Sequence, residues 1–176
     1  MLTTRVGGLA DAPATARLWT AANIARRAHL GLPLGPVAGA PSPPVAEDRV
    51  RDRLATPGTV LILAQDDSAT PVDPVAMALV VQALDQDGAG PDPLPGVAHV
   101  SMVAVHPDRW GQHLGGLVMQ RAHTEAGHAG YTRAQLWTHE SNHRAQRLYE
   151  RLGWTPSGRT TTDDHGEQIR HYTRDL

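Results

Sequence analysis

The chain of 176 residues contains no cysteine, no lysine and no phenylalanine. The absence of cysteine excludes a disulfide, a thiolate metal site and a cysteine acyl-enzyme. All sixteen basic residues are arginine, so a Walker-type phosphate loop, which needs a lysine, is excluded as well. Alanine, glycine, proline and arginine are abundant, and we interpret the whole pattern as the coding bias of a GC-rich genome.

Long apolar runs and a strong net charge are absent too. With a net charge of −2, the composition gives no indication of nucleic-acid binding, and no apolar run approaches the length of a membrane span. The first residues, MLTTRVGGLADA, lack the apolar core of a signal peptide. We expect a cytoplasmic protein without nucleic-acid or membrane partners, in which residues 1–176 form one domain.

The hydrophobic pattern predicts alternating helices and strands. Helices are expected from the cap Asp11 to about residue 27, at 45–54, from Leu114 onward and from Asn142. Strands are expected at 2–6, 60–64, 74–84, 97–105, 134–138, 155–159 and 169–175. Loops are expected at 29–44 and 85–96, the second of them mobile. This order predicts a mixed α/β fold with antiparallel hairpins before and after a β-α-β unit, and a central sheet of about six or seven strands.

The chain is organised around the segment 97–116, VAHVSMVAVHPDRWGQHLGG. Pro107 ends the apolar strand, because proline donates no ladder hydrogen bond, and a glycine-bearing turn leads into an amphipathic helix. The first N–H groups of such a helix are unpaired, and Gly111 and Gly115 would let a bulky anion approach them. The segment indicates an anion site, with phosphate as the leading candidate, although ordinary strand-to-helix connections are far commoner.

A second segment, NHRAQRLYERLGW at 142–154, predicts a helix that begins at Asn142 and ends at a capping Gly153. The pattern V-x-P-x-x-x-G-x-x-x-G, followed about thirty residues later by N-x-x-A-x-x-L-Y-E-x-L-G-W, resembles the GNAT superfamily of N-acetyltransferases. The resemblance covers about the C-terminal half of the chain. Two residues depart from the family's first motif: Trp110 replaces a polar residue, and His113 stands where glycine is usual.

The resemblance implies a GNAT-like mixed sheet in which a bulge splays two strands apart, with acetyl-CoA in the gap as cosubstrate. It assigns the pantetheine arm to backbone groups of Val103 and Val105 and the pyrophosphate to the amides of 111–116. The implied cofactor-binding residues are Val103, Ala104, Val105, Gly111, Gln112, His113, Leu114, Gly115, Gly116 and Asn142. No metal is expected. Arg109, Arg144 and Arg147 are candidates for the outer phosphates, or simply solvated surface residues.

Two residues are expected to be catalytic, Tyr149 and His99. The resemblance implies that Tyr149 lies near the thioester sulfur, and a tyrosine hydroxyl, with an ordinary pKa near 10, can protonate a departing thiolate. Strict alternation puts His99 on one strand face with Ser101, Val103 and Val105, so His99 can act as the base, unless a bulge shifts the phase. A structural histidine, a core tyrosine and Glu140 as the base are the alternatives.

The resemblance implies transfer of acetyl to a primary amine by direct attack in a ternary complex. We expect a small-molecule amine, because carboxylates in the segment 160–168, including Asp163, Asp164 and Glu167, would attract a cation. The alternative, and the commoner case, is that this segment is only a solvated turn. A protein or peptide acceptor is the alternative, and the chain is expected to be a monomer or a homodimer. A non-catalytic acyl-CoA-binding module is an alternative of another class.

The residues 139–143 match the zinc-hydrolase pattern HExxH. In a zinc protease both histidines lie on one helical face, one turn apart. Here the helix is expected to begin at Ser141 or Asn142, which leaves His139 outside it. A zinc hydrolase is therefore only a minor alternative.

Overall fold

A computed structural model of the protein describes residues 1–32, 43–66, 68, 73–163 and 165–176. These residues contain four α-helices: α1 Ala12–His29, α2 Pro43–Ala55, α3 Leu114–His128 and α4 His143–Arg151. Seven strands accompany them: β1 Leu2–Val6, β2 Val60–Asp66, β3 Pro74–Leu84, β4 Pro93–Val105, β5 Arg133–His139, β6 Thr155–Thr162 and β7 Gln168–Asp175. None of the described helices combines the length and the apolar character that a bilayer crossing requires.

The strands form a single sheet in the order β1-β2-β3-β4-β5-β7-β6. The described pairs are antiparallel except β4 with β5, which run parallel and are joined by α3. The predicted mixed sheet, with hairpins on both sides of a β-α-β unit, is confirmed. Each face carries its own apolar core, one packed with α3 and α4 and the other with α1 and α2.

Among the differences between the predicted and the observed boundaries, two concern the segments before β4 and α2. The strand expected from residue 97 begins at Pro93, because Asp85 closes the preceding turn. The backbone N–H of Asp85 donates to the carbonyl of Asp92 at 2.8 Å, and its carboxylate accepts the N–H of Asp92 at 3.1 Å. The other difference is in the predicted loop 29–44, where α2 already begins at Pro43. The part of that loop at 33–42 lies outside the described residues.

Asp11 stands at the start of α1, as predicted, but it caps a different turn. Its carboxylate accepts the N–H of Gly8 at 2.9 Å and pairs with the guanidinium of Arg5 at 2.6 Å. No side-chain hydrogen bond from Asp11 reaches the first turn of α1. The carboxylate therefore ties β1 to the turn before the helix.

A bulge in β4 determines the geometry of the centre of the sheet. Leu79 of β3 pairs with Met102, and Val80 pairs with Val100. Ser101 is left as the extra residue, so the side chains after it change faces. Before the bulge, Val100 packs in the core under α3 and α4. After the bulge, Met102 packs in the core under α1 and α2.

The predicted alternation along β4 is therefore wrong, because it placed four residues on one face. His99 and Ser101 lie on the face of α1 and α2, where Arg53 of α2 donates a hydrogen bond to the Ser101 hydroxyl. Val103 and Val105 pack against the opposite core, under α3 and α4. A bulge that shifts the phase of the strand, the condition under which the prediction would fail, is therefore present in β4. It places the predicted base, His99, on the opposite face of the sheet from Val103 and Val105.

Candidate active site

The central strands β4 and β5 separate soon after they pair. Their ladder runs only from Val97 opposite Arg133 to His99 opposite Gln135. Beyond these residues the strands diverge and open a cleft of about 830 Å³, which is bounded by α1, the second half of β4, the end of β5, the turn before α3, and α4. The splayed strand pair is thus present in the structure.

Peptide groups of β4 are exposed to this cleft. The N–H of His106 donates to the carbonyl of Val75 at 2.8 Å, which fixes the phase of the antiparallel ladder with β3. Because residues alternate in such a ladder, the peptide groups of Val103 and Val105 point away from β3, into the gap toward β5. Ala104 has the other phase, so its peptide groups are directed to β3. Both residues predicted to contact the pantetheine arm therefore present backbone groups to the gap, whereas Ala104, the predicted cofactor-binding residue between them, does not.

The turn before α3 presents a set of unpaired N–H groups. Gly111 and His113 have left-handed backbone conformations, with φ of +84° and +60°. Five N–H groups of this turn, those of Gly111, His113, Leu114, Gly115 and Gly116, have no hydrogen-bond acceptor among the described residues. Gln112 donates only a long bond to the carbonyl of Arg109, at 3.4 Å. These donors, at the positive end of the α3 dipole, fit a diphosphate group.

Gly115 is needed for packing as well as for access. A Cβ atom at this position would lie 2.9 Å from the Cδ2 atom of Leu148 on α4. At Gly116, the nearest atom of Leu148 would be at 3.8 Å, an ordinary contact distance. The glycine at 115 therefore lets α3 and α4 approach each other across the inner end of the cleft.

Trp110, a departure from the family motif, has a structural role that the sequence did not indicate. Its indole N–H donates to the carbonyl of Val105 at 3.0 Å, so this carbonyl is already occupied. The guanidinium of Arg144 lies 4.3 Å from the centre of the indole ring, and the ring of His29 meets it edge-on at 6.3 Å. Trp110 thus joins the end of β4 to the end of α1 and the start of α4.

The helix α4 places the next two predicted residues. Asn142 caps the helix by accepting the N–H of Ala145 at 3.2 Å, and it lines the cleft. Tyr149, only 6% exposed, lines the cleft from the α3–α4 face. Its ring lies 6.2 Å from those of Trp154 and Tyr172.

Burial raises the pKa of the Tyr149 hydroxyl above its ordinary value. Among the described residues, none forms a hydrogen bond with this hydroxyl. The group therefore remains protonated throughout the neutral range, with its proton available to a ligand in the cleft.

His99 occupies a different environment. It is not one of the residues that line the described cleft, since it stands before the point where β4 and β5 diverge. Burial, reinforced by the positive charge of Arg53 and by nearby His171, lowers the pKa of His99 to about 4. The imidazole is therefore neutral at pH 7, next to a cation and away from the cleft.

The three arginines that were candidates for the outer phosphates have different environments in the structure. Arg109 forms an ion pair with Asp66 at 2.7 Å, and Arg144 is stacked on Trp110. Arg147 lines the cleft and has no ion-pair partner among the described residues. Arg151, which the sequence analysis did not select, also lines the cleft and has none. An anion at this rim would reduce the repulsion between the α4 arginines.

A charged cluster on the α1 side was also missed. The Nε2 atom of His139 lies 3.0 Å from a carboxylate oxygen of Asp163, and Glu167 accepts hydrogen bonds from Arg26 and Arg27 of α1 at 2.9 and 2.7 Å. His139 drew attention only through the HExxH match. It is the last residue of β5, outside α4, as predicted, so the two histidines of that match do not share a helical face.

Comparisons with known proteins agree with this geometry. The sequence model of the acetyltransferase (GNAT) family matches residues 25–154, which is well over half of the chain. The chain belongs to the GNAT acetyltransferase family. Family membership supports an acyl-CoA-dependent acetyltransferase, and the seven-stranded mixed sheet flanked by four helices is the fold of the family's solved members.

Three solved structures illustrate the similarity of this GNAT chain in fold. The ribosomal-protein-S18-alanine N-acetyltransferase from Escherichia coli is 18% identical, with a TM-score of 0.68, over 100% of this chain and 94% of that one. A GCN5-related N-acetyltransferase from Kribbella flavida is 20% identical, with a TM-score of 0.66, over 99% and 98%. The NatC complex bound to Gag peptide and CoA is 14% identical, with a TM-score of 0.71, over 99% and 98%. At these identities the likeness concerns the fold alone. No protein with a curated description matches the sequence significantly.

Proposed function

We propose that the protein transfers the acetyl group of acetyl-CoA to a primary amine of a small molecule, by direct attack in a ternary complex. One observation carries this proposal: a single cleft joins the free peptide groups of β4 to the unpaired N–H groups at the start of α3. An extended amide chain ending in a diphosphate needs donors and acceptors in that order.

The residues of the cleft divide the binding of acetyl-CoA among them. Val103 offers its N–H and its carbonyl to the pantetheine amides, whereas Val105 offers its N–H alone, because Trp110 occupies its carbonyl. The amides of 111–116 would hold the pyrophosphate, and Arg147 on the rim would meet an outer phosphate. Acetyl-CoA supplies the activated acetyl group as a thioester.

Tyr149 is the proposed general acid. A leaving thiolate needs a proton, and the buried hydroxyl of Tyr149 is protonated at neutral pH and has no hydrogen-bond partner among the described residues. The hydroxyl lies on the α3–α4 face of the sheet, and the acceptor would enter from the opposite face, past α1. His99, the base expected from the sequence, remains a prediction that its variants will test.

The acceptor side supports a small molecule over an extended peptide. Arg26 and Arg27 of α1 both bind Glu167, which lies in the turn of the β6–β7 hairpin immediately before β7, and the three side chains are 13%, 18% and 16% exposed. This linkage joins α1 to the hairpin beside the cleft, where an extended chain would otherwise pass. Because Asp163 and Glu167 are already paired, the predicted attraction for cationic amines depends on Asp164, which lies outside the described residues.

The test is thiol release from acetyl-CoA across polyamines, aminoglycosides, amino acids and short peptides, with acetyl-CoA hydrolysis without acceptor as the blank. We expect release with at least one small amine. If only peptides react, the acceptor class is wrong. If calorimetry shows that acetyl-CoA binds but no amine releases thiol, the chain is a non-catalytic acyl-CoA-binding module, the alternative of another class.

A further inference from the structure

His139 is held at the edge of the cleft by a carboxylate that is itself fixed. One oxygen of Asp163 accepts the N–H groups of His165 and Glu167 at 2.9 and 2.8 Å. The other oxygen lies 3.0 Å from Nε2 of His139. Although burial alone would raise it, the pKa of Asp163 is lowered by these backbone N–H groups and by His139. Asp163 is therefore a carboxylate anion, and backbone groups of the β6–β7 hairpin fix its orientation.

This arrangement leaves one nitrogen of His139 for a ligand. With Nε2–H donated to Asp163, Nδ1 carries the free lone pair, and no described residue forms a hydrogen bond with it. His139 lines the cleft, on the β5 face that looks toward α1. A histidine oriented by a carboxylate, with its second nitrogen open to a pocket, has the geometry of a general base.

The strand splay places this group opposite Tyr149. Leu136 of β5 packs in the α3–α4 core, so His139, three residues on, faces the α1 side. Tyr149 lies on the α3–α4 side. Between them β4 and β5 have separated, and the cleft connects the two faces of the sheet. An amine that enters past α1 would meet His139, while the thioester sulfur would lie toward Tyr149.

A metal site is the competing interpretation, because ligand atoms of His139, Asp163 and Glu167 lie within 4.8 Å of one another. The carboxylate of Glu167, however, is bound by the guanidinium groups of Arg26 and Arg27. Two fixed cations next to a ligand oxygen oppose the binding of a divalent ion. The charges around the cluster favour a proton acceptor.

We propose that His139, oriented by Asp163, is the general base for the acceptor amine; this rests on the proposed acetyl transfer. Nδ1 of His139 takes the ammonium proton and passes it to solvent. The amine nitrogen attacks the thioester carbonyl carbon, the C–S bond breaks, and the sulfur takes the Tyr149 proton. The acetylated nitrogen loses its second proton, and solvent returns one to Tyr149. One proton is released per turnover.

Several charged groups surround His139 and hold its ring in place. Asp163 is in direct contact with it, and Glu167 lies beside it with Arg26 and Arg27. The next residue, Glu140, is paired with Arg170 of β7 at 2.7 Å. Asp163 fixes the ring orientation of His139 and keeps the ring proton on Nε2, so Asp163→Asn should lower kcat and leave the Michaelis constant for acetyl-CoA unchanged.

The experiment compares the whole chain with His139→Gln, Asp163→Asn and the control His128→Gln at the exposed end of α3. Each is assayed with the fastest amine of the panel, and histidine rings are titrated by 15N NMR without acceptor. His139→Gln should lose about 100-fold or more in kcat with an unchanged Michaelis constant for acetyl-CoA, and His128→Gln should lose nothing.

Three results would overturn the assignment: full kcat in His139→Gln, a His139 ring that carries its proton on Nδ1 and not on Nε2 in the NMR spectra, or wild-type turnover that a chelator abolishes and a metal ion restores. Wild-type protein that releases no thiol with any amine would remove the proposed function, and the base with it. The NMR titration would still show whether Asp163 and His139 form a pair.

Discussion

Replacing His113 with glycine tests whether the departure from the family motif strains the turn before α3. His113 has φ of +60° and ψ of +13°, the left-handed conformation, and its side chain makes no capping hydrogen bond. For a residue with a Cβ atom this conformation costs about 1–2 kcal/mol. Glycine removes that cost but loses about 0.5–1 kcal/mol through the greater freedom of the unfolded chain. The net expected gain is about 0.5–1 kcal/mol.

The assay is thermal unfolding of wild type and His113→Gly, followed by calorimetry with acetyl-CoA. For a chain of this size, 1 kcal/mol shifts Tm by about 2–4 °C, so a rise of about 1–4 °C is expected. Acetyl-CoA affinity should be retained, because the donors are backbone N–H groups. The control is His128→Gly at the end of α3, in a right-handed helix, where the same exchange should lower Tm. If His113→Gly also lowers Tm, the imidazole makes contacts that outweigh the strain, and the reasoning fails.

The remaining predictions concern the acid, the helix contact, the two histidines and pH. Tyr149→Phe should lower kcat by about 100-fold or more and leave the calorimetric affinity for acetyl-CoA unchanged; an intact rate would assign protonation of the thiolate to water or another group. Gly115→Val should lower the free energy of unfolding in chemical denaturation by about 1–3 kcal/mol, because the valine side chain would collide with Leu148, and it should abolish cofactor binding. Gly116→Ala should keep the wild-type stability. Equal losses of stability at both positions would contradict the packing argument. If His139 is the base, His99→Gln should keep most of the wild-type kcat, whereas His139→Gln should lose about 100-fold or more; the opposite pattern would restore the base expected from the sequence. Burial lowers the pKa of His99 and of His123 to about 4, below the ordinary value near 6.5, so protons bind the unfolded chain first. The free energy of unfolding should therefore have its full value above pH 6.5 and should decrease as the pH falls toward 4, and His123→Leu should reduce that decrease. A free energy of unfolding from urea denaturation that does not change with pH over this range would refute the prediction.

The sequence determined the elements of the fold and the turn that we propose for phosphate binding. Apolar periodicity is a local property, so the strands and helices could be placed within a few residues, and the β-α-β order implied the mixed sheet. Pro107, Gly111 and Gly115 mark the turn before α3 because each acts on its own stretch of backbone. Asn142 and Gly153 identify the ends of α4 for the same reason.

Only the tertiary structure decided which side chains meet in the cleft. The bulge at Ser101 depends on how β4 pairs with β3, and it sent His99 to the other face from Val103. The pair of His139 with Asp163 joins the end of one strand to a hairpin 24 residues later, and no local pattern announces that contact. In the sequence, Trp110 was notable only because it replaces a polar residue of the family motif. In the structure it contacts β4, α1 and α4 and so connects three elements that border the cleft. The periodicity of apolar residues indicates which side chains are buried. The positions of the side chains in the cleft depend instead on how the strands lie relative to one another, and this is determined by pairing between residues far apart in the sequence.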